Sequence, residues 1–162
     1  MGDILGNYVT GPAAANPGRP VMAIHLDGRV RRFFESFTLS GAAQNDVLVA
    51  GKISSDAVLT DLSRLRNAAL GAGVTLKIGV RHPKITTVSA ASSLIANNLA
   101  AGTATTHAAY KAGIADEGKT LKQLLGDGVP EDFADDLEVI VTIGGAVPND
   151  GTVVLELFYV DH

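Results

Sequence analysis

Apolar and polar residues alternate with a period of two along several stretches of this chain. In "RVRRFFESFTLSG", Val30, Arg32, Phe34, Ser36 and Thr38 alternate with Arg31, Phe33, Glu35, Phe37 and Leu39. Successive side chains of a strand point to opposite faces, so this period predicts a strand with Phe33, Phe37 and Leu39 toward a core. "NDVLVAGKI" predicts a second strand, with Val47, Val49 and Ile53 on one face. "VTLKIGV" alternates Val74, Leu76, Ile78 and Val80 with Thr75, Lys77, Gly79 and Arg81. "LEVIVTIGG" places Leu137, Val139, Val141 and Ile143 on one face, and "TVVLELFYV" sets Val153, Leu155, Leu157 and Tyr159 opposite Val154, Glu156, Phe158 and Val160. The link "AVPNDG" has Pro148 followed by Asn149-Asp150-Gly151, turn chemistry that predicts a hairpin of antiparallel neighbours.

One stretch has a different period. In "SSDAVLTDLSRLRNAALGAG", Val58, Leu62, Leu65 and Ala69 have helical spacing, Ser55 could cap the start and Gly71 could end the helix. Short helices near 89–99 and 119–125 are plausible in the Ala-, Ser- and Thr-rich stretch, with loop around them. Residues 1–20, "MGDILGNYVTGPAAANPGRP", have no period. Their prolines and glycines predict an extended arm, followed by a single domain over 21–162. Several strands, turn glycines and prolines, and little helix predict a mainly all-β fold. It is an antiparallel β-sandwich, jelly-roll-like, with short helices.

The "ALGAG" at 69–73 bears on chemistry. A Gly-X-Gly between apolar runs can open a nucleotide-binding loop, but such a loop feeds a helix whose amides hold the phosphates. Here a strand follows, and Leu76 stands where a third glycine belongs, so the segment is read as a turn. The chain of 162 residues has no cysteine, which excludes disulfides and thiolate metal sites. Its net charge of −4 gives no global basic field for nucleic acid or anionic membrane, and no apolar run reaches bilayer length. His25, His82, His107 and His162 lack metal-ligand spacing. The acidic run "DGVPEDFADDLE" lacks the EF-hand ladder and reads as a solvated turn, with Pro130, Glu131 and Asp132 as helix-start chemistry. No nucleophile elbow or Walker sequence occurs. No catalytic residue, cofactor or metal is expected.

Taken in order, "YVTG", "GRVRRFFESFTLSG", "NDVLVAGKISSDAVL", "ALGAGVTLKIGV" and "DLEVIVTIGGAVPNDGTVVLELFYV" resemble the small capsid decoration, or cement, proteins of tailed bacteriophages. Gly71, Ala72, Thr75, Leu76, Gly79, Thr142, Gly144, Gly151 and Tyr159 carry the resemblance. It covers most of the chain, and the segment 83–130 matches poorly. The resemblance implies a strand rather than a helix over Asp56–Asn67, with Ala57, Leu59, Asp61, Ser63 and Leu65 alternating with Val58, Thr60, Leu62 and Arg64. It also implies a non-enzymatic virion protein, made in the bacterial host cytoplasm, that binds the outer capsid surface and stabilises capsomer junctions. Its partners would be the major capsid protein and further copies of itself, as a trimer or dimer, with no nucleic acid and no membrane. Candidate contact residues are Tyr8, Pro17 and Pro20 in the arm, with Arg29, Arg31 and Arg32 beside it. The alternative is another virion part: a head-fibre base, a tail component or a glycan-binding module.

Overall fold

The computed structural model describes residues 30–82, 93–110, 116, 118–126 and 136–160. All of these lie in the compact unit Val30–Asp161. The arm at 1–20 lies outside the described residues. The strands are β1 (Val30–Leu39), β2 (Val47–Ser54), β3 (Val58–Leu59), β4 (Arg64–Asn67), β5 (Thr75–Arg81), β6 (Ala96–Ala100), β7 (Thr105–Ala108), β8 (Asp136–Gly144) and β9 (Gly151–Val160). A short helix, α1, spans Leu121–Leu125.

The strands form two antiparallel sheets. The first runs β1-β9-β4-β7, with β3 also on β9, and the second runs β2-β8-β5-β6. With β3 and β4 taken as one interrupted strand, this is the strand order of a jelly roll. The core lies between the sheets, where the period-two pattern places it. Leu76, Ile78 and Val80 on β5 sit opposite Ile143, Val141 and Val139 on β8, all fully buried. Val153, Leu155 and Leu157 of β9 face them from the first sheet, and Leu39, Phe33 and Phe37 complete the rim. Burial of each such aliphatic side chain contributes roughly 1.5–3 kcal/mol.

The segment 56–67 is extended, not helical. Ala57, Leu59, Ser63, Leu65 and Asn67 are buried, whereas Leu62 of the helical set is 57% exposed. β3 and β4 run along the same side of β9: Leu59 pairs with Tyr159 and Arg64 with Glu156. The residues between them bulge out, and the Ser63 side chain fills the gap. The Phe158 amide donates to Ser63 Oγ (3.0 Å), and the Ser63 hydroxyl donates back to the Phe158 carbonyl (3.4 Å).

Other expectations need correction. Val47 and Val49 face solvent, at 42% and 44% exposure, while Ala50 and Ile53 are buried. A bulge between Val49 and Gly51 inserts one residue and reverses the alternation, so the three residues expected on one face are split. The helix expected near 89–99 is contradicted where it is described. Residues 96–100 form β6, and Ile95 N–H already donates to the Ile78 carbonyl (3.0 Å), so pairing with β5 overrides a weak period. Residues 105–108, read as loop, form β7, where β-branched Thr105 and Thr106 suit a strand. The helix expected over 119–125 is present. Thr120 caps it in a capping box with Gln123, and the Leu121 and Lys122 amides donate to the carbonyls of Ala57 and Ser55.

The expected hairpin of β8 and β9 does not form. β8 is central in the second sheet and β9 in the first, so the link 145–150 crosses the sandwich. Its polar groups serve other links at that end. Asn149 N–H donates to the Leu70 carbonyl (2.7 Å), and Asp150 Oδ1 accepts from Gly41 N–H (2.9 Å). Gln44 Nε2 donates to the Gly145 carbonyl (2.7 Å). Asn67, buried at the end of β4, donates to the carbonyls of Ala68, Ala101 and Thr103. Four links, 40–46, 68–74, 101–104 and 145–150, are thereby bonded into one end of the sandwich. A local turn signal marks a change of direction but not which sheet receives the next strand.

Candidate interaction surface

The outer face of the first sheet follows from its register. β1 and β9 pair residue by residue, so Val30, Arg32, Phe34, Ser36 and Thr38 share a face with Val160, Phe158, Glu156, Val154 and Thr152. β4 adds Arg64 beside Glu156 and Arg66 beside Val154. Val58 of β3 lies beside Val160. Val30 is 55% exposed and Phe34 50% exposed, so an apolar strip stands open among the arginines.

Glu156 organises the charges. Arg32 Nε lies 2.5 Å from its Oε1, and Arg66 Nη2 lies 3.9 Å from its Oε2. The Arg32 guanidinium also sits 5.1 Å from the Phe34 ring centroid. Arg64 donates through Nη1 to the carbonyls of Asp61 (3.1 Å) and Ser63 (3.3 Å). Exposed ion pairs of this kind contribute at most about 1 kcal/mol each. Their effect is geometric: one carboxylate on β9, between β1 and β4, draws an arginine toward it from each side. The face then presents three arginines to one glutamate, around Phe34, Phe158 and valines. Aromatic residues and arginine, with lysine depleted, are the composition of protein interface cores.

The basic cluster read from the sequence divides here. Arg32 lies on this face. Arg31, its neighbour along the strand, lies on the opposite one, as successive strand residues must. Arg29, Tyr8, Pro17 and Pro20 lie outside the described residues. Arg64, Arg66 and Glu156 were not singled out in the sequence. Alternation around Leu65 puts the two arginines on one face, but only the pairing brings them to Glu156 and Arg32.

The other candidate chemistry does not assemble among the described residues. "ALGAG" is a turn between β4 and β5, with positive φ at Gly71 and Gly73 and a strand after it. No group of three or more metal-binding side chain types occurs among the described residues. His82 is buried, and His107 lies on β7. His25 and His162 are outside the described residues. Of the acidic run, Asp127, Glu131, Asp132 and Asp135 are also outside. Glu138 is paired with Arg81 across β8 and β5 (2.8 Å). No helix among the described residues is long and apolar enough to cross a membrane.

A viral structure shares this fold. It is a chain of the cyanophage Pam1 capsid asymmetric unit, aligned with a TM-score of 0.54 over 83% of this chain and 86% of that one, at 11% identity. No family model and no curated protein matches the sequence.

Proposed function

We propose that this chain is a bacteriophage capsid decoration protein. It binds the outer surface of the major capsid protein shell and stabilises the junctions between capsomers. The reading assigns it binding and no catalysis, and a place on the virion surface. The observation that carries it is the shared jelly-roll fold, over most of both chains, with a chain of the cyanophage Pam1 capsid asymmetric unit. The sequence resemblance supports the same reading independently, through turn glycines and strand residues. The outer face of the first sheet is the docking surface, with Phe34 as apolar anchor and Arg32 and Arg66 around it. Many copies on one shell make individually weak contacts act together.

Cosedimentation with expanded capsids lacking the protein tests this. Binding should saturate at a fixed ratio to the major capsid protein. Phe34→Ser combined with Arg66→Glu should weaken it by about tenfold or more, as loss of interface anchors does. Folded protein that stays in the supernatant overturns the reading.

A further inference from the structure

The outer face of the first sheet carries its charges in an order that selects the surface it can meet. In one row across the strands stand Phe34 of β1, Glu156 of β9 and Arg64 of β4. The next row holds Ser36, Val154 and Arg66 and continues to Thr106 of β7. Arg32 lies one row to the other side, beside Phe158. Arg64 and Arg66 are two residues apart on one strand, so their Cα atoms are about 7 Å apart. The carboxylate is sunk and the guanidiniums stand proud of it: the Glu156 side chain is 16% exposed, against 55% for Arg32 and 52% for Arg66. One carboxylate does not satisfy them. Arg32 engages it through Nε, whereas Arg66 comes only to 3.9 Å, beyond hydrogen-bond length. A guanidinium offers five donors in a fixed fork that matches a carboxylate.

Charge is also unevenly shared over the chain. Three arginines against one glutamate give the strands of this face +2, and the whole chain carries −4, so the rest of it carries −6. We propose that the surface this face docks on is acidic, with separate carboxylates around an apolar side chain, and that charge steers the protein onto it with this face first. The proposal rests on the capsid-binding reading and gives the chemistry of the shell surface bound. Carboxylates of the shell pair with Arg66 and Arg32, and an apolar group meets Phe34, which is 50% exposed. The same acidic surface repels the remainder of the chain, so encounters through other faces are disfavoured. A continuous polyanion such as nucleic acid is a poorer match. Its phosphates would run over the Glu156 carboxylate and over Phe34, Phe158 and Val154, which offer them no donor. Glu156 thereby sets specificity: it holds the face at +2 and places a repulsive group between the arginines.

The test is the association rate with immobilised expanded capsids lacking the protein, followed by biolayer interferometry over a salt series. The rate should fall by about tenfold or more between about 0.05 M and about 0.5 M salt. Glu156→Gln leaves three unopposed guanidiniums and should raise the low-salt rate by about threefold, whereas the loss of a merely structural ion pair would lower it. Arg66→Glu should lower the rate by about tenfold. Lys52→Glu, the same change of charge on the second sheet, should leave it within about twofold. Double-stranded DNA added as a competitor should leave binding unchanged, and circular dichroism melts confirm that each variant is folded. Folded protein that binds no capsid at any salt overturns the capsid reading and this proposal with it. Binding whose rate ignores salt, that Glu156→Gln slows, that Lys52→Glu slows as much as Arg66→Glu, or that DNA displaces overturns this proposal alone.

Discussion

Gly145 shows how tightly the linked end of the sandwich is closed. Its φ is +77°, and a Cβ on it would collide with the Gly73 carbonyl oxygen, a backbone atom that cannot rotate away. Both the conformation and the space select glycine. Gly145→Ala should therefore destabilise the domain by roughly 2–4 kcal/mol, read as a drop in the urea midpoint with an unchanged slope. The limits at two other glycines are milder: Gly71 has a φ of +106° and its Cβ would press on the Asn149 side chain, and a Cβ at Gly151 would press on the Leu70 and Ala68 side chains. Gly71 and Gly151 stood out in the sequence through the resemblance, whereas the close approach that explains them lies between segments far apart in the chain.

At the scale of elements, the interrupted β3–β4 strand tests how the sheet tolerates an insertion. Ser63 is fully buried, and its hydroxyl replaces the main-chain partner that Phe158 loses where the strand bulges. Ser63→Ala should leave the Phe158 N–H unpaired and cost roughly 1–3 kcal/mol. Hydrogen exchange at the Phe158 amide should quicken, while Leu155, on the β1 side of β9, stays protected. The elements also show what the sequence held. Long strands that bury one face, β1, β5, β8 and β9, were legible because a period of two leaves few alternatives. β6 and β7 were not, because Ala96–Ala100 and Thr105–Ala108 are short and half exposed and owe their state to neighbours. The face of β2 was misread because one bulged residue inverts every later side chain. Of the candidate site, Arg31 and Arg32 were visible as charges, but the meeting of Arg32, Arg66 and Glu156 depends on a register that no local pattern encodes.

For the whole molecule, Tyr110 ties stability to alkaline pH. Burial pushes its phenol above the ordinary value of 10.0, and the carboxylates of Asp116 and Asp61 add to the shift. The folded state thus holds this proton more tightly than the unfolded chain. The associated stability is fully present below pH about 10 and is lost as the pH rises through the raised value. Tyr110→Phe removes that dependence. The gap between wild-type and variant denaturation midpoints should hold constant below pH about 10 and shift in the variant's favour above it.

The crossing of β8 to β9 has a consequence for how the chain is made. These two strands are the shared centres of the two sheets, and they follow every other described strand in sequence. While a ribosome has delivered only residues up to about Asp136, β1, β3 and β4 have no β9 to lie on, and β2 and β5 have no β8 between them. Only the pairs β4–β7 and β5–β6 can form as the chain emerges, and neither sheet can be completed. Both sheets are completed only after β8 and β9 have been made, so the apolar faces of the earlier strands stay uncovered until late in synthesis.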